Sequence, residues 1–108
     1  MVRQMTVQEL AGLLAEGQPV YLLDVRQPWE HEIAALPNST LIPLNELVQR
    51  AGEVTPPEKA TVVVYCHHGI RSLSGAAILQ RCGIENAVSL AGGIDAWSVH
   101  VDPKVSRY

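Results

Sequence analysis

The sequence predicts an α/β domain built on a mainly parallel sheet, and three observations lead there. Short apolar runs alternate with amphipathic helical segments along the chain, the pattern of successive strand–helix units. The runs at 20–25 and 61–66 are almost continuously apolar, as strands covered on both faces must be. A length of 108 residues with 47% hydrophobic content suits one packed domain, 1–108, in which Leu, Val, Ile and Ala fill a core that has no Phe.

Each element has its own local reason. TVQELAGLLAEG (6–17) reads as a helix: Thr6 is an N-cap, Glu9 completes a capping box, and Gly17 suits the stop. Leu10, Leu13 and Leu14 give it an apolar stripe. VYLLDV (20–25) is a strand. PWEHEIAAL (28–36) opens with Pro28, favourable in a first helical turn, and Pro37 closes it. STLIPL (39–44) offers a short strand, and NELVQRAG (45–52) a helix from Asn45 to Gly52. VTPPEKA (54–60) is linker-like but too short to separate domains.

TVVVYC (61–66) is the most hydrophobic run and is predicted to be the central strand. SLSGAAILQRCG (72–83) follows as a helix capped by Ser72 and ended by Gly83. NAVSLAGG (86–93) gives a last strand and a turn, and IDAWSVHV (94–101) a final helix. No internal repeat or low-complexity tract interrupts the series.

Composition narrows the function. A net charge of −3 argues against a general nucleic-acid or membrane-surface binder. The start, MVRQMTVQEL, has no apolar core of signal-peptide type, and nothing approaches the roughly 20 apolar residues of a membrane span. Two cysteines without an export signal are expected to be reduced thiols in a cytoplasmic protein.

YCHHGIRSLSG (65–75) carries the chemistry. Cys66 can be a core thiol, as Cys82 is expected to be, a metal ligand or a nucleophile. Metal binding is disfavoured, because Cys66, His67 and His68 are adjacent rather than spaced like a zinc pair, and Cys82, His31 and His100 add no ligand spacing. No metal and no cofactor is therefore expected. The nucleophile reading rests on position, since ligand sites of parallel α/β sheets lie beyond the carboxyl ends of the strands. The residues after Cys66 turn into a helix, so their N–H groups can converge on an anion at its N-terminus. Free cysteine titrates near 8.5, and surroundings of that kind lower the value and favour thiolate. Gly69 lets the backbone curl, and Arg71 adds a permanent cation.

Three segments in order resemble the rhodanese-like sulfurtransferases in their short single-domain form. LLDVRQPWEHEIAALPNSTLIPL is similar to the first signature of that family, with Asp-Val-Arg, Pro-x-Glu and Ile-Pro in sequence. VVVYCHHGIRS resembles its strand and active-site loop, and LAGGIDAW its closing Gly-Gly…Trp signature. Ala34-Ala35-Leu36 departs from the pattern, where the family often has Gly-His-Ile.

The resemblance implies a five-stranded, mainly parallel sheet flanked by helices on both faces. It also implies sulfur transfer: Cys66 as nucleophile takes a sulfane sulfur from thiosulfate or a related donor, holds it as a persulfide, and passes it to a thiol or to cyanide. His67, His68, Gly69, Ile70, Arg71 and Ser72 would form the substrate-binding loop. The alternative outlet is a relay to one sulfur-accepting partner protein.

The remaining residues are read more conservatively. Arg71 is the candidate for the donor's charged oxygens, because a guanidinium forks toward oxyanions. For His67 and His68 the backbone amides are expected to matter more than the rings. Asp24, Arg26 and Glu30 read as a structural ion-pair and capping cluster. Trp29 and Trp97 read as core or boundary aromatics, and Gly92 and Gly93 as a turn of close backbone approach. Cysteine phosphatases and arsenate reductases on related folds use Cys-x5-Arg around a tetrahedral oxyanion. The spacing here, from Cys66 to Arg71, is Cys-x4-Arg, a tighter cradle suited to a single sulfur.

Overall fold

The computed structural model describes residues 2–108. Five strands, β1 (Gln4–Met5), β2 (Val20–Asp24), β3 (Thr40–Leu41), β4 (Thr61–Tyr65) and β5 (Ala87–Leu90), form one sheet in the order β1-β5-β4-β2-β3. Every pairing is parallel. The most apolar run is β4, and it lies at the centre as expected. Five α-helices connect the strands: α1 (Val7–Ala15), α2 (Pro28–Ile33), α3 (Leu47–Arg50), α4 (Arg71–Arg81) and α5 (Gly93–His100).

The two-residue alternation of the strands splits the interior into two cores. On one face Leu22, Val63, Tyr65, Val88 and Leu90 meet Val7 and Leu10 of α1 and Ile94 and Trp97 of α5. On the other, Leu23, Val62, Val64, Cys66 and Ala87 meet Leu47 of α3 and Ala76 and Leu79 of α4. Both faces of β2, β4 and β5 are thus covered, which is why these strands carry almost no polar side chains. Gly75 permits close packing of α4, since a Cβ there would lie 3.0 Å from Val64 Cγ1 and 3.3 Å from Val25 Cγ1.

The capping box of α1 forms in both directions, Glu9 N–H to Thr6 Oγ1 and Thr6 N–H to Glu9 Oε1, each at 3.0 Å. Several local expectations are corrected. β1 was not assigned to any segment, because two residues are too few to show a period. The helix expected over 45–52 is a short α3 between 3-10 turns at Leu44–Glu46 and Ala51–Glu53. α4 begins at Arg71 with Ile70 in the capping position, so Ser72 lies inside the first turn and caps nothing. Cys82 is exposed, not part of the core, and Trp29 stands 58% exposed on α2. No helix among the described residues is long and apolar enough to cross a membrane.

Tyr65, fully buried at the end of β4, ties the sheet to the chain that follows α2. Its hydroxyl accepts from Leu36 N–H at 3.1 Å and lies 2.9 Å from Ser39 Oγ. Tyr65→Phe leaves the buried Leu36 N–H without a partner. Denaturant unfolding should show a loss of about 1–3 kcal/mol at unchanged m-value.

Candidate active site

Asp24 and Arg26, at the carboxyl end of β2, form a fully buried ion pair. Arg26 Nε and Nη2 donate to the two carboxylate oxygens at 2.9 and 2.7 Å. Arg26 also donates to the carbonyls of Glu30 at 3.4 Å and Ala34 at 2.6 Å, and to Tyr108 Oη at 2.8 Å. The cluster is structural, as expected for Asp24 and Arg26. Ala34, where the family motif departs, serves it through its carbonyl, which needs no particular side chain.

Glu30 belongs to a different pair. Its Oε1 accepts from Gln27 N–H at 3.0 Å at the start of α2. The carboxylate is forked by Arg71, with Nη1 to Oε1 at 2.7 Å and Nη2 to Oε2 at 2.9 Å, and Oε2 also accepts from Tyr108 Oη at 2.7 Å. The Arg71 hydrogen bonds, followed by those of Gln27 and Tyr108, outweigh burial and hold the Glu30 carboxyl down to about 2. Arg71 is therefore not a free cation at the mouth of the loop. Its Nε–H and one hydrogen on each terminal nitrogen remain for a ligand.

Cys66 follows β4 and is 1% exposed. Its Sγ accepts from Gly69 N–H at 3.2 Å and from Ser72 N–H at 3.3 Å, and it lies 3.5 Å from Ser72 Oγ. Ser72 Oγ is in turn 2.7 Å from Ser89 Oγ on β5. Gly69 makes this curl possible with φ 98°, and a Cβ there would stand 2.9 Å from Gly92 N. Of the loop amides expected to converge here, two reach the sulfur.

The first turn of α5 engages two of the loop's carbonyls. Ile94 N–H takes the Cys66 carbonyl at 2.9 Å, and Asp95 N–H takes the His67 carbonyl at 3.1 Å. Gly93 lets α5 approach this closely: its φ is 61°, and a Cβ would lie 2.5 Å from His67 O. The turn assigned to Gly92 and Gly93 is thus one of close backbone approach, as expected.

The other loop side chains diverge. The His67 ring stacks between His68 and Tyr108, with centroids 3.9 Å away on each side. Its Nε2 is buried without a hydrogen-bond partner. Burial, reinforced by the neighbouring His68, pushes the His67 imidazole below its ordinary value, so it is neutral at pH 7. His68 is largely exposed, with Nδ1 4.0 Å from Asp95 Oδ2. Ile70 points outward, 77% exposed.

A family model described as Rhodanese-like domain matches residues 6–100. The chain belongs to the rhodanese-like family. It is 33% identical to a sulfurtransferase of Allochromatium vinosum, over 98% of this chain and 97% of that one. It is 35% identical to the probable adenylyltransferase/sulfurtransferase MoeZ of Mycobacterium tuberculosis over 95% of this chain, which spans only 26% of that relative's length. The rhodanese-like domain protein of Staphylococcus aureus superposes with a TM-score of 0.82 at 28% identity, covering 99% of both chains. The expected rhodanese-like fold is therefore present, and sulfur transfer is the class of function that family membership supports.

Tyr108 is the residue the sequence reading missed. Nothing in local sequence marks it, because its contacts with Arg26 and Glu30 span 82 and 78 residues.

Glu30 yields a pH signature. Its carboxyl titrates lower in the folded chain than its ordinary 4.5, so the pair contributes stability above that value and loses it as pH falls toward about 2. Glu30→Gln should lower the melting temperature at pH 7. The gap to wild type should narrow steadily in scans from pH 4.5 down to 2.

Proposed function

We propose that the protein moves a sulfane sulfur from a small anionic donor such as thiosulfate to a thiophilic acceptor through a persulfide on Cys66. The observation that carries this reading is the convergence of Gly69 N–H and Ser72 N–H on Cys66 Sγ, at 3.2 and 3.3 Å, at the N-terminus of α4. Two amide donors and a helix dipole suit a thiolate and the terminal sulfur of a persulfide. The Cys66 and His67 carbonyls, which would repel an anion, are engaged by α5.

The chemistry balances in two displacements. The Cys66 thiolate attacks the outer sulfur of thiosulfate; a new S–S bond forms, the old one breaks, and sulfite leaves with the bonding pair. Cyanide or a thiolate then attacks the persulfide's terminal sulfur, forms thiocyanate or a new persulfide, and returns the Cys66 thiolate. Covalent catalysis of this form gives ping-pong kinetics. Arg71, with its plane fixed by Glu30, presents the remaining N–H groups to the donor's oxygens. The neutral His67 ring supplies packing rather than charge.

A second reading keeps the persulfide and changes the outlet. Relatives such as MoeZ are named as both adenylyltransferase and sulfurtransferase, and this chain matches only part of them. A partner protein accepting the sulfur from Cys66 is consistent with that arrangement, with a thiol or cyanide as the acceptor in the test tube. Phosphate chemistry is the disfavoured reading, because two inward amides are too few to hold a tetrahedral oxyanion.

Cys66→Ser should abolish thiosulfate:cyanide sulfur transfer, whereas Cys82→Ala leaves most of it. Intact mass after thiosulfate should show one added sulfur, removable by cyanide, on wild type but not on Cys66→Ser. Robust hydrolysis of an aryl phosphate without sulfur transfer would overturn the reading.

Arg71→Ala should reduce kcat/KM for thiosulfate by about one to two decades, chiefly through KM, as expected for a lost charged hydrogen bond. An unchanged KM would remove Arg71 from the donor site.

A further inference from the structure

The segment after α5 turns back over the loop. Asp102 N–H donates to the Trp97 carbonyl at 2.9 Å, Val105 N–H to the Asp102 carbonyl at 3.1 Å, and Arg107 forks onto Asp95 at 2.9 and 3.3 Å. This return lays the Tyr108 ring on His67, with centroids 3.9 Å apart and planes within 8°. Trp29 meets the Tyr108 ring in a T-shaped contact at 6.0 Å.

The hydroxyl sits between two charges of opposite sign. It accepts from Arg26 Nη1 at 2.8 Å and donates to Glu30 Oε2 at 2.7 Å. Burial, and then the hydrogen bond to Glu30, pushes the phenol up to about 12, so the donated proton stays in place at any working pH. A continuous path follows: the buried Asp24–Arg26 pair holds Tyr108, Tyr108 holds Glu30, and Glu30 holds Arg71 at the loop.

We propose that Tyr108 is a positioning residue of the sulfur-donor site. Its hydroxyl fixes Glu30 and thereby the direction in which Arg71 presents its remaining N–H groups, while its ring holds His67 against the loop. The proposal rests on the reading of Cys66 and Arg71 given above.

The physical need for such a residue is plain from the exposure of its target. The Arg71 side chain is 36% exposed, so the direction of its guanidinium is set by its partner, the Glu30 carboxylate, whose side chain is 4% exposed. Beside the fork from Arg71, Gln27 N–H holds Oε1 of Glu30 and the Tyr108 hydroxyl holds Oε2. An anionic reagent approaching Cys66 depends on where the cation stands; a neutral reagent of the same size does not.

Alkylation of Cys66 by iodoacetate and by iodoacetamide tests this, with rates read from the mass of the Cys66 peptide so that exposed Cys82 does not interfere. Tyr108→Phe keeps the stacked ring and removes the hydroxyl. It should lower the iodoacetate-to-iodoacetamide rate ratio roughly three- to tenfold, the effect of one hydrogen bond, and raise KM for thiosulfate by a similar factor with kcat nearly unchanged. Adding Tyr108→Phe to Arg71→Ala should lower the ratio no further, since the hydroxyl acts only through that guanidinium.

An unchanged ratio in Tyr108→Phe, with a lowered ratio in Arg71→Ala, would overturn the positioning role and leave the donor site intact. Equal slowing with both reagents alongside a lower melting temperature would also overturn it, by reducing Tyr108 to a structural residue. A ratio unchanged even in Arg71→Ala would instead bring down the donor-site reading, and this proposal with it.

Discussion

The buried Asp24–Arg26 pair is the constraint on which the rest of the site depends. A guanidinium with no exposure to water must have its N–H groups satisfied, and an uncompensated charge left there would cost several kcal/mol. Arg26 meets that demand by drawing in the carbonyls of Glu30 and Ala34, the hydroxyl of Tyr108 and the carboxylate of Asp24. Each partner lies on a different stretch of chain. Satisfying one buried cation therefore fixes α2, the turn after it and the segment beyond α5. Those pieces carry Glu30 and Tyr108, which border the Cys66 loop.

The loop itself is shaped by a second, purely backbone effect. A strand ending at Tyr65 and a helix starting at Arg71 leave little chain between them, and a short turn would ordinarily present both carbonyls and amides to its interior. The first turn of α5 resolves the conflict by removing the carbonyls of Cys66 and His67. Glycine at 93 is required for that approach, glycine at 69 for the curl, and the two turns pack on each other through Gly92. The sulfur is left facing amides, one hydroxyl and the positive end of α4. A chemically poised environment thus arises from backbone placement, with side chains setting its walls.

Charge balance at the mouth differs from the simplest picture of a basic cradle. Arg71 is paired, His67 is neutral, and Glu30 is ionised over the whole physiological range. The donor's oxygens would meet a partly neutralised guanidinium of fixed orientation. Such a site favours geometry over field strength.

The sequence alone determined what depends on local pattern. The apolar runs 20–25 and 61–66 mark strands because their period and composition are read within a few residues, and the Thr6–Glu9 box marks a helix start for the same reason. The strand-loop-helix around Cys66 and the Gly92-Gly93 turn were legible because each is contained in one short segment. Only the tertiary structure decided what depends on distant residues. β1 exists because β5 offers it an edge, Ser72 serves the sulfur and Ser89 instead of capping a helix, and Cys82 faces solvent. Arg71 finds Glu30 across 41 residues, and Tyr108 finds Arg26 across 82. Such partners are chosen by the packing of the sheet and helices, where a buried charge must be satisfied by whatever polar group the fold brings near. No periodicity within a single segment records that choice.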